Sequence, residues 1–196
     1  DEILLAALDG KLPGRGWQVV KDEFAVSGEA LEAARETAFS HSGVDLYTVA
    51  APQLFVEFSF LAEANKDYHV WVRGCTLADA GQSVVQRNKC DAVALGSAGG
   101  RWSRDCVYMP RSGFPALHAF DGYRRRQGFW WIGGNSDMPT GVGDEAPVAI
   151  RFSKAGRQTL KLYALETPVR IDAIWLSATR KTRPDNGSRG PVEDRR

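Results

Sequence analysis

The chain has 196 residues, with 25 Lys plus Arg against 24 Asp plus Glu and a formal net charge of +1. So even a balance supplies no global field that would draw the protein to nucleic acid or an acidic membrane surface. No apolar run approaches the roughly 18 residues that span a bilayer, and the length suffices for one large β domain with a sizeable core.

In chain order, Glu2 to Leu8 reads as a short helix ended by Gly10, followed by the breaker-rich Leu12-Pro13-Gly14-Arg15-Gly16. Residues 1–16 are thus expected to be a lead-in helix and linker. Ile3 to Leu8 is too short for a signal peptide and lacks its basic flank. A start at Asp1 rather than Met is expected of a mature form or an excised module. Trp17 to Val20 and Phe24 to Val26 are candidate strands. Ala30 to Thr37 has helical propensity but lies between strand-like runs, so helix and irregular strand both stay open.

The middle of the chain is plainer. Leu54, Val56, Phe58 and Phe60 alternate with Phe55, Glu57 and Ser59, the mark of a half-buried strand. Asn65-Lys66-Asp67 turns the chain into Tyr68, Val70 and Val72, which alternate with His69, Trp71 and Arg73. Ser83 to Arg87 is a further candidate strand. Between Gly96 and Gly134 the period dissolves into Gly- and Pro-rich sequence, and loops of that length in a compact domain usually carry function.

Three alternating runs follow: Val148 to Phe152, Gln158 to Ala164 and Val169 to Ser177. Ser153-Lys154-Ala155-Gly156 supplies the first turn. Glu166-Thr167-Pro168 is too short for a helical crossover, so the last two strands are expected to be antiparallel neighbours. The reading is all-β: an antiparallel sandwich over residues 17–180, with a polar tail or linker over 181–196.

Two strand motifs, Tyr68-His69-Val70-Trp71-Val72-Arg73 and Ile171-Asp172-Ala173-Ile174-Trp175-Leu176-Ser177, together with Gly156-Arg157-Gln158-Thr159-Leu160 between them, resemble galactose-binding-like β-sandwiches. The likeness covers roughly residues 17–180 and implies a jelly-roll of the kind found in accessory carbohydrate-binding modules of bacterial polysaccharide-active proteins. Such modules commonly bind polysaccharide, and many hold a structural calcium. The resemblance implies a secreted, periplasmic or cell-surface protein whose partners are a polysaccharide or oligosaccharide and other modules of a larger parent chain.

Sugar binding has its own physical signature. A pyranose ring stacks its C–H face on an aromatic ring, and its hydroxyls call for planar donors and acceptors. The stretch from Phe120 to Asp137 supplies both: Tyr123, Trp130 or Trp131 as platform, and Asp121, Gln127, Asn135 and Asp137 for hydroxyls. Arg124 and Arg125, with Arg126, suit a uronate or sulfate through charge-assisted forks. Trp102, after Gly99-Gly100, repeats the pattern on a smaller scale. The bland alternatives are a solvated Arg face and structural tryptophans. Alternation in Phe129-Trp130-Trp131-Ile132 requires that at least one Trp pack inward, and Trp71 is read as a core residue.

For calcium, the resemblance points to Glu29, Glu32 and Asp172 as oxygen donors; Asp172 alternatively caps a turn or pairs with a nearby Arg. Soft-metal spacing is absent: His41, His69 and His118 are isolated, and there is no Cys-x-x-Cys. Of Cys75, Cys90 and Cys106, a Cys90–Cys106 bridge would close a loop of about 15 residues and contribute roughly 3 kcal/mol. Three buried free thiols fit equally. No nucleophile elbow, phosphate-binding Gly loop or dinucleotide fingerprint occurs. The function expected is therefore a non-catalytic carbohydrate-binding module without membrane insertion. The alternatives are a protein-interaction or adhesion domain and a jelly-roll polysaccharide lyase or hydrolase. A lyase would draw on Tyr123, His118, Arg124 and Arg125.

Overall fold

The computed structural model describes residues 1–12, 16–33, 55–76, 93–103, 116–117, 129–132, 148–164, 169–182, 184–185 and 190–191. These contain the strands β1 (Glu2–Ala6), β2 (Trp17–Lys21), β3 (Glu29–Ala33), β4 (Phe55–Ala62), β5 (Asp67–Thr76) and β6 (Val93–Gly96). They continue with β7 (Gly100–Trp102), β8 (Ala116–Leu117), β9 (Trp130–Ile132), β10 (Ala149–Phe152), β11 (Gly156–Ala164) and β12 (Val169–Ser177).

Two antiparallel sheets form among the described residues. The larger runs β2-β3-β12-β5-β10-β7, with β1 also on β12 and β9 also on β5; the smaller runs β4-β11-β6-β8. Period-two sequence explains the layering. β4 buries Val56, Phe58, Phe60 and Ala62 while Ser59 and Leu61 stay exposed. Across the gap, Val70, Val72, Ile150, Phe152, Ile174 and Leu176 complete one core with Leu160 and Leu162 of β11. Phe152 meets Phe60 edge-on at 5.8 Å between ring centres, tying the two sheets.

Several expectations change. The helix over Glu2–Leu8 is instead β1, paired residue for residue with β12 from Glu2↔Ser177 to Ala6↔Ala173. Only Ala7–Asp9 turns, as a 3-10 turn in which the Ala6 amide donates to Asp9 Oδ2 at 2.7 Å. The open edge of β12 offers a ladder of backbone partners, and Leu5 reaches the core from it. This segment therefore belongs to the sandwich and is no lead-in. Phe24–Val26 is not a strand; it lies in the turn joining β2 to β3. The open choice over Ala30–Thr37 resolves to strand through Ala33; the remainder lies outside the described residues, as does Ser83–Arg87.

The last three strands are not sequential neighbours. β10 pairs with β5 and β7, β11 with β4 and β6, and β12 with β1, β3 and β5. The chain thus changes sheet at each connection, and again between β4 and β5. Inward residues on opposite sheets bury more apolar surface than a hairpin on one sheet, whose strands share a single inner face. Asn65 sits left-handed at φ 59 in the β4–β5 turn, and its amide donates to Phe152 O at 2.7 Å.

In the final stretch Pro184 and Gly190 are buried, so part of the expected polar tail folds back. Cys75 lies in β5, while Cys90 and Cys106 lie outside the described residues. The place of β1 in the core is directly testable. Leu5→Ala is expected to lower unfolding free energy in urea by about 2–4 kcal/mol, whereas truncation of a lead-in side chain would leave it unchanged.

Candidate functional site

The outer face of the large sheet, turned away from the small one, is also covered at its centre. Trp71, Trp131, Ala173 and Trp175 form a second apolar cluster there. Trp71 stands opposite Trp175 across the β5–β12 ladder, and Trp131 meets Trp175 edge-to-face at 5.6 Å between ring centres. Arg180 lays its guanidinium 5.1 Å from the centre of the Trp175 ring. The indole N–H of Trp175 donates to Glu2 Oε2 at 2.5 Å. Glu2 Oε1 accepts from Ser177 Oγ at 2.8 Å and Thr179 Oγ1 at 2.7 Å. One carboxylate on β1 thus satisfies three donors at the end of β12.

Next to this cluster β12 carries a bulge between Ile171 and Ala173. Ile171 points into the main core and Ala173 joins the outer cluster, so the register change at Asp172 is what turns the face. Asp172 is fully buried, and so, nearly, is Arg73. Arg73 Nη1 donates to Asp172 Oδ2, which also accepts the Val26 amide at 2.9 Å. The same Nη1 donates to Phe24 O at 3.2 Å, and the Arg73 guanidinium lies 5.3 Å from the centre of the Phe129 ring. Burial pushes the Asp172 carboxyl up to about 6, against the pull of the Arg73 charge and of the Val26 amide.

That ion pair holds the β2–β3 loop onto the sheet. A second pair flanks it: Arg170 Nε donates to Glu32 Oε2 at 2.7 Å and Nη1 to Asp22 Oδ2 at 2.9 Å. Asp22 Oδ1 also accepts the Phe24 amide at 3.0 Å, an Asx turn at the start of the loop. The Phe24 side chain stays 56% exposed on this fixed backbone. Sequence reading missed Asp22, Phe24 and Arg170. Arg170 meets Glu32 and Asp22 across 138 and 148 residues, and Phe24, whose carbonyl meets Arg73 across 49 residues, had been absorbed into a candidate strand.

The expected sugar-contact residues divide. Tyr123, Arg124, Arg125, Asn135 and Asp137 lie outside the described residues. Trp130 is in β9, its backbone opposite Gly74. Trp131 is corrected from platform to packing residue: at 0% exposure it has no ring face left for a pyranose. It still fixes β9 in place. Trp102 is half-buried on the edge strand β7, opposite Ile150 and against the main core.

The expected calcium donors do not converge. Glu29 and Glu32 are three apart on a strand, so their side chains leave opposite faces, as they would not on a helix. Glu32 is bound to Arg170 and Gln18, and Asp172 to Arg73. Among the described residues no three His, Cys, Asp or Glu side chains stand close enough to hold a metal ion. The other reading of Asp172, pairing with an Arg, matches the structure.

Two outcomes follow from the buried pair. Arg73→Met leaves the carboxylate without its counter-charge and is expected to cost about 3–5 kcal/mol in urea denaturation at neutral pH. For pH, the folded-state pKa of Asp172 lies above the ordinary value of 3.8 that it has in the unfolded chain, so its stabilising contribution is complete below 3.8 and is lost as pH rises through about 6. Urea denaturation from about pH 4 to about pH 7 should show wild type losing on the order of 3 kcal/mol relative to Asp172→Asn across that window. Parallel pH profiles for the two proteins would contradict this.

No protein-family model matches the sequence, and no curated protein matches it. Among solved structures, the chain is similar to one described as the crystal structure of Podospora anserina GH26-CBM35 beta-(1,4)-mannanase, with a TM-score of 0.54 and 12% sequence identity. The match covers 94% of this chain and 29% of that one. At that identity the likeness shows the fold alone, an all-β sandwich.

Proposed function

We propose that this domain is a non-catalytic carbohydrate-binding module of a larger exported protein, binding polysaccharide by aromatic stacking and hydrogen bonds to hydroxyls. The observation that carries the reading is the anchoring of β9. Phe129 and Trp131 are fully buried on the outer face of the large sheet. The chain therefore leaves from two fixed points into the stretches that bear Tyr123, Arg124 and Arg125 on one side and Asn135 and Asp137 on the other. The sheet thereby fixes where each of those stretches begins, and weak sugar contacts gain from anchored residues. The fold likeness supports it from a second direction: the solved chain names a carbohydrate-binding module beside a mannanase, and this chain spans 29% of it. Arg124 and Arg125 would select an acidic glycan if they reach the ligand.

The rival is a protein-interaction domain of the same fold. It draws support from Phe24 and Val19, both exposed on the β2 edge of the large sheet.

Affinity electrophoresis across β-mannan, other neutral glycans and uronate-containing glycans separates the two. The module reading expects one glycan class to retard the wild type. It expects Trp130→Ala or Tyr123→Ala to reduce that retardation at least about tenfold in apparent affinity, with circular dichroism unchanged. If the glycan is acidic, Arg124→Ala should weaken binding and added salt should weaken it further. Absence of retardation by every glycan would reject the module reading in favour of the protein partner.

A further inference from the structure

The β2–β3 loop is secured by charge, and the charge comes from inside the chain. Asp172 Oδ2 holds two donors that belong to different elements, the guanidinium of Arg73 on β5 and the amide of Val26 in the loop. Arg73 adds the carbonyl of Phe24, so one cation touches a carboxylate and a backbone oxygen, two oxygen types that a hard metal ion would also take. We propose that Arg73 is a built-in cation at the β12 bulge, clamping the β2–β3 loop in the place where a metal would otherwise have to neutralise Asp172.

Three observations support this. First, the pair is already neutral, and a divalent ion at Asp172 would sit beside a buried guanidinium, where like charges repel with little screening. Second, the guanidinium already reaches both oxygens, its Nη1 donating to Asp172 Oδ2 and to Phe24 O at 3.2 Å, so one charge neutralises the carboxylate and holds the loop carbonyl. Third, Glu32 on β3 and Asp22 in the loop are held by Arg170, and among the described residues no three His, Cys, Asp or Glu side chains stand close enough to hold a metal ion.

The test uses the full chain and calcium itself. Thermal unfolding in EDTA and in millimolar calcium is expected to give the same midpoint. A calcium bound about 100-fold above its Kd would raise it by roughly 5–10 °C. A calcium-dependent rise that Asp172→Asn removes would overturn the proposal, and a rise that survives in Asp172→Asn places the metal elsewhere and leaves the clamp standing.

Hydrogen exchange gives an arm that needs no variant. In the wild type, amide exchange over residues 22–28 should be the same with calcium and with EDTA, and slowing by calcium confined to that loop would also overturn it. Arg73→Met should speed exchange there roughly tenfold or more while β11 keeps its protection. Unchanged exchange in that loop would show that Arg73 does not hold it.

Discussion

Burial of β5 and β12 on both faces is the constraint on which the remaining structure depends. Their inner residues, Val70, Val72, Ile174 and Leu176, meet the small sheet, while Trp71, Trp175 and Ala173 form a second cluster with Trp131 on the other face. A sheet covered on one side only could leave polar groups on its outer face to water. Here Arg73 and Asp172 fall on a covered face, so each must find its partner within the protein. The bulge at Asp172, the docking of the β2–β3 loop and the three-donor role of Glu2 are all responses to that requirement.

The arrangement also joins distant parts of the chain. Glu2 on the first strand accepts from Trp175, Ser177 and Thr179, and Asp172 accepts from Val26, 146 residues away. Contacts of such sequence separation close long loops, so their entropic cost must be met before they stabilise the fold. The outer cluster under Trp175 also seats Trp131 and with it β9 on the large sheet.

Much of the fold was legible because period-two alternation reports one-sided burial directly. β4, β5, β11 and β12 were readable for that reason. The reading failed where local sequence is ambiguous and a remote partner decides. Glu2–Leu8 has residues that suit a helix, yet the open edge of β12 draws it into a ladder. Phe24–Val26 resembles a strand, yet Asp22 and Asp172 bend it into a loop. Of the site, Asp172 drew notice through its motif and Trp131 through its run of aromatics, and each took the structural one of its two readings. Asp172 meets an arginine where metal donors had been grouped around it, and Trp131 is buried where a platform had been placed.

The sequence by itself determined an all-β chain, the position of most long strands and the inward set of apolar residues, since each follows from alternation within a few residues. Tertiary structure alone decided which sheet each strand joins, why β10, β11 and β12 alternate between sheets, and which charges are buried together. The reason is physical: alternation specifies which face of a strand is apolar but carries no information about which neighbour covers it. Pairing is settled by contacts between residues far apart in the chain, such as Arg73 with Asp172 and Glu2 with Trp175.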